Sequence, residues 1–241
     1  MLKRVVDIAA SAALLLGFSV FMAVIAVAIK VATLGPIFFR GTRIGRHERP
    51  FSMLKFRSMV VGADRVGASS TADDDPRMTA LGKWMRRYKL DELPQLWNVL
   101  VGDMSLVGPR PQVPWAMERY SEEEKIVLTV RPGITDPASL RFANEGEILK
   151  SHPDPDRAYF ELIHAEKMRL SIDYVKNRSF LGDLKILVLS LAASVHVAVR
   201  ERDARYLALM PLAFGLLHWG YGLGSSWGMV RLAAGIASDL Q

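Results

Sequence analysis

The chain of 241 residues is 50% hydrophobic and 23% charged, with 12 prolines and 18 glycines, a globular composition that excludes disordered and fibrous classes. A chain of this length buries roughly 70% of its unfolded surface without covalent staples. With no cysteine it holds no disulfide framework, thiolate metal site or cysteine nucleophile. Thirty-one Lys and Arg against 25 Asp and Glu leave a net charge of +6, which favours an anionic counterpart such as nucleic acid, phospholipid headgroups or a phosphorylated compound.

From Ile8 to Ile29 run 22 consecutive residues without a formal charge, and about 20 suffice to cross a hydrocarbon core as a helix. A secretory signal is the rival reading, because Lys3 and Arg4 make a basic start and Ala26-Val27-Ala28 has the form of a cleavage site. The apolar stretch is longer than a signal core, and Lys30, Arg40, Arg43, Arg46 and Arg49 behind it resist translocation. Basic residues on both sides place both ends on the cytoplasmic face, which a re-entrant hairpin satisfies. Gly17 and Ser19 are the candidates for its bend, although no proline secures one and an outright span stays open. Asp7 reads as a helix-end or interfacial residue that sets insertion depth.

Gly35-Pro36 then punctuates the chain, and Ile37–Arg40 and Phe51–Phe56 read as short extended pieces around a basic turn. Residues 61–76 form a polar loop in which Asp73-Asp74-Asp75 is a solvated run and helix cap, not a metal site. A helix is predicted over Thr79–Lys89. A second is marked by Leu93, Leu96, Trp97 and Leu100, with Pro94 in its first turn and Asp91-Glu92 at its positive end. Helical spacing recurs over Ala138–Leu149, Pro155–Val175 and Phe180–Val197. Tyr206–Val230 is free of Asp, Glu, Lys and Arg but broken by Pro211 and several glycines, and reads as a membrane-associated tail. His47, His152, His164, His196 and His218 show no metal-ligand spacing and are surface or packing residues. Trp97, Trp219 and Trp227 are core or interfacial anchors.

Three features point to phosphate chemistry: adjacent carboxylates Asp91 and Glu92 at a helix start, Arg86 shortly before them, and Arg110 fixed between two prolines. Displacement at phosphorus needs a cation to neutralise charge, guanidinium forks to hold oxygens, and a nucleophile or base. Standing alone, Asp91-Glu92 would read as a helix cap.

These residues sit within an ordered series of motifs: Lys55-Phe56-Arg57-Ser58-Met59, Asp75-Pro76-Arg77, Leu90-Asp91-Glu92-Leu93-Pro94-Gln95-Leu96, Asn98-Val99-Leu100, Gly102-Asp103-Met104-Ser105-Leu106-Val107-Gly108-Pro109-Arg110-Pro111, and Arg131-Pro132-Gly133-Ile134-Thr135. Behind an N-terminal membrane segment, this order resembles the bacterial sugar transferase family, the monotopic phosphoglycosyl transferases, from about Lys3 to about Ala193. The resemblance implies transfer of a phosphosugar from a UDP-sugar to polyprenyl (undecaprenyl) phosphate with release of UMP, on the cytoplasmic face of the bacterial inner membrane, initiating exopolysaccharide, O-antigen or glycan assembly. By the same resemblance Asp91 is the nucleophile that carries a covalent phosphosugar, Glu92 its dyad partner, and Mg²⁺ the cofactor, with Asp91 as its protein ligand. Lys55, Arg57, Arg86, Arg110 and Arg131 match substrate-binding positions, and Asp173 matches a less sharply defined one.

Two positions depart from the family pattern: its Ser-Pro helix break is here Ser19-Val20, and the glycine after Arg-Pro-Gly-Ile-Thr is here Asp136. Arg40, Arg43 and Arg46 face either anionic lipid or the diphosphate. The fold expected is mainly α with little β: a membrane helix over 1–34, a compact membrane-associated catalytic domain over 35–198, and a hydrophobic Gly-rich tail over 199–241. Membrane lipid is an expected partner and nucleic acid is not; a homodimer stays open. The rival from another class is a non-catalytic, membrane-anchored basic module that recruits glycan-assembly enzymes, with Asp91-Glu92 as a cap.

Overall fold

A computed structural model describes residues 2–150 and 152–200, the last seven as backbone helix only. The expected tail beyond Arg200, with His218, Trp219 and Trp227, lies outside the described residues, as does the side chain of His196. The chain is mainly helical. One compact unit ends at Leu187, and a second starts at Val188, of which the helical stretch to Arg200 is described.

The chain opens with α1 (Leu2–Gly17) and α2 (Ser19–Ala32), bent 60° from each other. The break falls at Gly17-Phe18-Ser19, where small and hydroxyl side chains were expected to permit it. Ser19 Oγ donates to the Leu16 carbonyl at 2.7 Å, one of the local bonds that re-satisfy a bent helix without proline. Among the described residues no single helix is long and apolar enough to cross a membrane, whereas the bent pair together meets that test by length and composition.

The amphipathicity of α1 is inverted. Lys3, Asp7 and Ser11, four residues apart, make one polar stripe, and Asp7 and Ser11 on it are buried against protein while Val5, Ile8 and Leu16 are exposed. On α2 the exposed residues are Val20, Val24, Val27 and Val31, again one helical stripe, and Ile25 and Ile29 are buried.

Asp7, read in the sequence as an interfacial residue, is a docking residue in the fold. It is 4% exposed and accepts from Ser105 Oγ at 2.8 Å and the Leu106 amide at 3.1 Å. Lys3 Nζ donates to the Val107 carbonyl at 2.9 Å and pairs with Asp183 at 2.6 Å. Arg4 donates to the Val99 and Leu100 carbonyls. These groups dock α1, and removing one would strand buried polar atoms at about 1–3 kcal/mol each.

A hairpin follows: β1 (Phe38–Ile44) pairs antiparallel with β2 (Pro50–Phe56), from Phe38 opposite Phe56 to Ile44 opposite Pro50. The first strand runs four residues past the expected Arg40, because ladder bonds to β2 override the weak strand signal of Gly41-Thr42-Arg43.

The polar loop 61–76 is organised by Arg77. Its Nη atoms donate to the Ala63, Val66 and Ala68 carbonyls, and it forks onto Asp75. Asp73 and Asp74 are exposed as expected, but Asp75 is buried against Arg77, whose hydrogen bonds hold its carboxyl below the usual range. Asp75 is a paired core acid, not a solvated one.

Next, α3 (Ala80–Arg87) is capped by Thr79, which accepts from the Gly82 amide. A 3₁₀ turn over Leu90–Glu92 leads into α4 (Gln95–Val101), and β3 (Ser105–Val107) follows. After α5 (Pro114–Met117) and a 3₁₀ turn over Glu124–Thr129, β4 (Gly133–Thr135) lies parallel to β3. The two strands touch at glycines: a Cβ on Gly133 would stand 2.1 Å from the Gly108 amide nitrogen, and one on Gly108 2.5 Å from the Arg131 carbonyl.

The helix expected over Ala138–Leu149 is two pieces, α6 (Pro137–Arg141) and α7 (Glu145–Ile148), because Phe142 leaves the helical region at ψ 40°. That over Pro155–Val175 holds as α8 (Pro155–Tyr159), a π-helical turn at Phe160–His164 and α9 (Ala165–Asn177). Last comes α10 (Phe180–Arg200). The main core joins Met53 of β2, Leu96 and Val99 of α4, Leu106 and Val107 of β3, and Tyr174 and Ile186 of α9 and α10. Trp97 is half-exposed on α4.

Candidate active site

Asp91 and Glu92 owe their position to a sharp stop. Lys89, a non-glycine residue at φ 55° and ψ 20°, ends the path of α3 and turns the chain into the Leu90–Glu92 turn. Such left-handed backbone costs on the order of 1 kcal/mol and persists where surrounding contacts over-determine it. Neither carboxylate caps α4: its N-cap is Pro94, with no side-chain cap bond. The cap reading of this pair is overturned.

Glu92 is gripped from two sides. Lys55 Nζ, at the end of β2, donates to Oε1 at 2.8 Å, and Arg110 donates to Oε2 at 3.2 Å and also to Oε1. Arg110 reaches it from just after β3, where the Gly133 amide donates to the Pro109 carbonyl at 3.0 Å and ties the segment to β4. Burial pushes the Glu92 carboxyl up, but the Arg110 and Lys55 charges outweigh burial and hold it well below the usual range. Burial likewise lowers the Lys55 ammonium, against the pull of Glu92.

Asp91 differs. It is 3% exposed, its Oδ2 lies 4.0 Å from Lys55 Nζ, and among the described residues it has no hydrogen-bond partner. Burial raises its carboxyl above the usual range, with Lys55 opposing and the neighbouring Glu92 charge adding to the rise. Of two adjacent acids, one is thus locked in an ion-pair network and one is left unbonded, the environment of a nucleophile beside a positioning group.

The site therefore brings together Lys55, Asp91, Glu92 and Arg110 of the expected residues, with Arg86 near enough to lower the Asp91 carboxyl. The others are engaged elsewhere. Arg57, 6% exposed, donates to the Thr33 and Leu34 carbonyls and to Thr33 Oγ1, fastening the end of α2. Arg131 Nε donates to the Gly102 carbonyl at 2.8 Å, closing the C-terminal end of α4. Asp173 is exposed and accepts from Asn177. Asp136 is fully buried, caps α6 through the Ser139 amide and accepts from Ser171 of α9, so this departure from the family pattern serves helix docking.

Two features escaped sequence reasoning. Gln95, four residues after Asp91, is 1% exposed with its Nε2 an unpartnered buried donor. Arg110 also walls a small cavity with Gln112, Tyr159, His164 and Lys167. His164, from the π turn, bonds Glu124 at 3.1 Å, and Lys167 pairs with Glu145. No local signal announces this cavity, because its walls come from distant segments.

Among the described residues no group of three or more His, Asp or Glu has metal-holding geometry. The unbonded Asp91 carboxylate is a single hard-oxygen donor, which suits Mg²⁺, an ion commonly held by one or two carboxylates with substrate phosphates and water completing its shell.

The bacterial sugar transferase profile matches residues 1–197. An undecaprenyl-phosphate glucose phosphotransferase of Komagataeibacter xylinus is 37% identical over 204 residues, covering 80% of this chain and 36% of that protein. The uncharacterized sugar transferase EpsL of Bacillus subtilis is 36% identical over 190 residues, covering 79% of this chain and 85% of that protein. A UDP-glucose:undecaprenyl-phosphate glucose-1-phosphate transferase of Escherichia coli is 34% identical over 195 residues. This chain spans only 36% and 39% of the two named phosphotransferases. With the family profile matching residues 1–197, more than three quarters of its length, the chain belongs to the bacterial sugar transferase family.

Proposed function

We propose that this chain transfers a phosphosugar from a UDP-sugar to polyprenyl (undecaprenyl) phosphate, initiating lipid-linked glycan assembly. The observation that carries the reading is the unbonded, buried Asp91 carboxylate beside a Glu92 locked by Lys55 and Arg110. Asp91 attacks the β-phosphorus, the bond to the bridging oxygen breaks, and UMP leaves with that oxygen. An oxygen of the lipid phosphate then attacks the same phosphorus and expels Asp91, giving a polyprenyl diphosphate sugar. Splitting one displacement into two lets a water-soluble donor depart before a lipid acceptor arrives. Mg²⁺, held by Asp91 and the diphosphate, would neutralise phosphate charge. Arg110 and Lys55 hold Glu92 ionised and present cations to the oxygens. UMP release from a panel of UDP-sugars, with Mg²⁺ and polyprenyl phosphate, tests this. The transferase requires release that EDTA abolishes, and a recruiting module gives none.

The same reading places the chain on the cytoplasmic face of the bacterial inner membrane, with α1 and α2 as a re-entrant pair. Both ends of the pair are fastened to one compact unit: α1 through Lys3, Arg4 and Asp7, α2 through Arg57. A span would carry the start of α1 across the membrane, away from the groups it bonds. The outward apolar stripes of both helices suit lipid. A single cysteine placed at Leu2, otherwise exposed in this cysteine-free chain, is expected to stay protected from a membrane-impermeant thiol reagent until spheroplasts are permeabilised. Labelling of intact spheroplasts would show a span.

A further inference from the structure

The sequence leaves Arg40, Arg43 and Arg46 undivided, and the pleat of β1 divides them. Side chains alternate along a strand, and directly paired residues of an antiparallel ladder share a face. Lys55 pairs with Phe39, Met53 with Gly41 and Phe51 with Arg43, so Arg43 stands on the face that presents Lys55 to the dyad. Arg40 pairs with Leu54 on the other face and is exposed, and Arg46 donates to the Thr129 carbonyl. The end of β1 is also tied to the Arg110 segment, through the Ile44 amide and the Gln112 carbonyl at 2.9 Å.

The guanidinium of Arg43 lies back along the strand over Gly41, where a Cβ would stand 3.0 Å from its Nη1. It donates to the neighbouring Thr42 carbonyl, and among the described residues no carboxylate pairs with it. Lys55 and Arg110 stand at the dyad, and Arg43 shares the sheet face of Lys55 within reach of the Arg110 charge. Burial, and then the like charge of Arg110, lower the Arg43 guanidinium to about 10. Two guanidiniums on adjoining segments that feel each other's charge without a shared anion repel, and an oxyanion between them turns that repulsion into two charge-assisted contacts.

We propose that Arg43 is a phosphate-binding residue, forming with Arg110 a two-guanidinium clamp on a phosphate oxyanion, and that Gly41 is there to let its side chain lie across the strand. The clamp rests on the phosphoglycosyl transferase reading for its ligand class. Its phosphate is either the donor's diphosphate or the lipid acceptor's phosphate.

The test is equilibrium binding of UDP to the full chain, alongside the KM for undecaprenyl phosphate, in wild type, Arg43→Gln and Arg43→Lys. Loss of a charge-assisted fork is expected to weaken binding about tenfold in Arg43→Gln and less in Arg43→Lys. Arg49→Gln, which removes the same charge from the exposed turn, should leave both constants unchanged. A tenfold weaker UDP affinity assigns the clamp to the donor. An unchanged UDP affinity with a raised acceptor KM assigns it to the lipid phosphate. Both constants within about twofold of wild type in a variant with an unchanged melting temperature overturn the proposal, also where the variant loses retention on anionic vesicles. UDP binding needs no turnover, so a wild type that binds UDP through Arg43 yet releases no UMP retains the clamp and refutes the transferase reading instead.

Discussion

Asp91→Asn is expected to abolish turnover, by on the order of 10³-fold or more, while the protein stays folded and membrane-bound. The amide matches the carboxylate in shape but offers no anionic oxygen to attack phosphorus. The fold should survive because, among the described residues, Asp91 caps no helix and makes no side-chain hydrogen bond, so the exchange breaks none. Lys55 keeps its 2.8 Å partner in Glu92. Removing a carboxyl that burial already pushes up relieves, if anything, a desolvation cost. The check is UMP release together with intact-protein mass after incubation with donor alone. Wild type should gain the mass of a phosphosugar, and the variant should gain none. Wild-type-like release by the variant would sink the nucleophile assignment, and a wild type that turns over without an adduct under single-turnover conditions would favour a direct ternary mechanism.

How much of this site was legible beforehand depends on where each residue finds its partner. Lys55, Asp91, Glu92 and Arg110 were legible because their motifs are ordered and distinctive, and Asp91-Glu92 adjoin in sequence. The break at Gly17-Ser19 was legible from local chemistry alone. Lys3, Arg4 and Asp7 were not: beside an apolar run they read as membrane-flanking charges, while their partners at positions 99–107 and 183 come from the folded unit. Arg57 and Arg131 share a physical reason why their carbonyl partners were not legible. A guanidinium in a phosphate-site motif and one closing a helix end on backbone carbonyls look alike in sequence, because carbonyl acceptors carry no residue identity. The helix over 138–149 had the right apolar spacing and still broke at Phe142, where docking of α6 through buried Asp136 outweighs local propensity. Arg43 needed only the register of the hairpin, which periodicity over seven residues does not fix.

Arg110→Lys is expected to lower kcat/KM by about 10- to 100-fold, and the reason lies in what Arg110 does twice. Its fork meets both oxygens of Glu92 while its remaining edge faces the cavity wall and the Ile134 carbonyl. A lysine supplies a point charge that can serve Glu92 or a substrate oxygen, but not a planar grip on both. Arg110→Gln goes further, because it removes the largest influence that opposes burial at Glu92. With only Lys55 and the weaker Lys89 charge left to oppose burial, the carboxyl of Glu92 rises. Protonation of Glu92 then begins at a higher pH, so the acidic limb of the kcat/KM profile should move to higher pH in Arg110→Gln and much less in Arg110→Lys. Kinetics equal to wild type in the lysine variant would make Arg110 structural. A uniform loss in the glutamine variant, with the acidic limb unmoved, would show that Arg110 acts on the phosphate alone and that Lys55 suffices to keep Glu92 ionised.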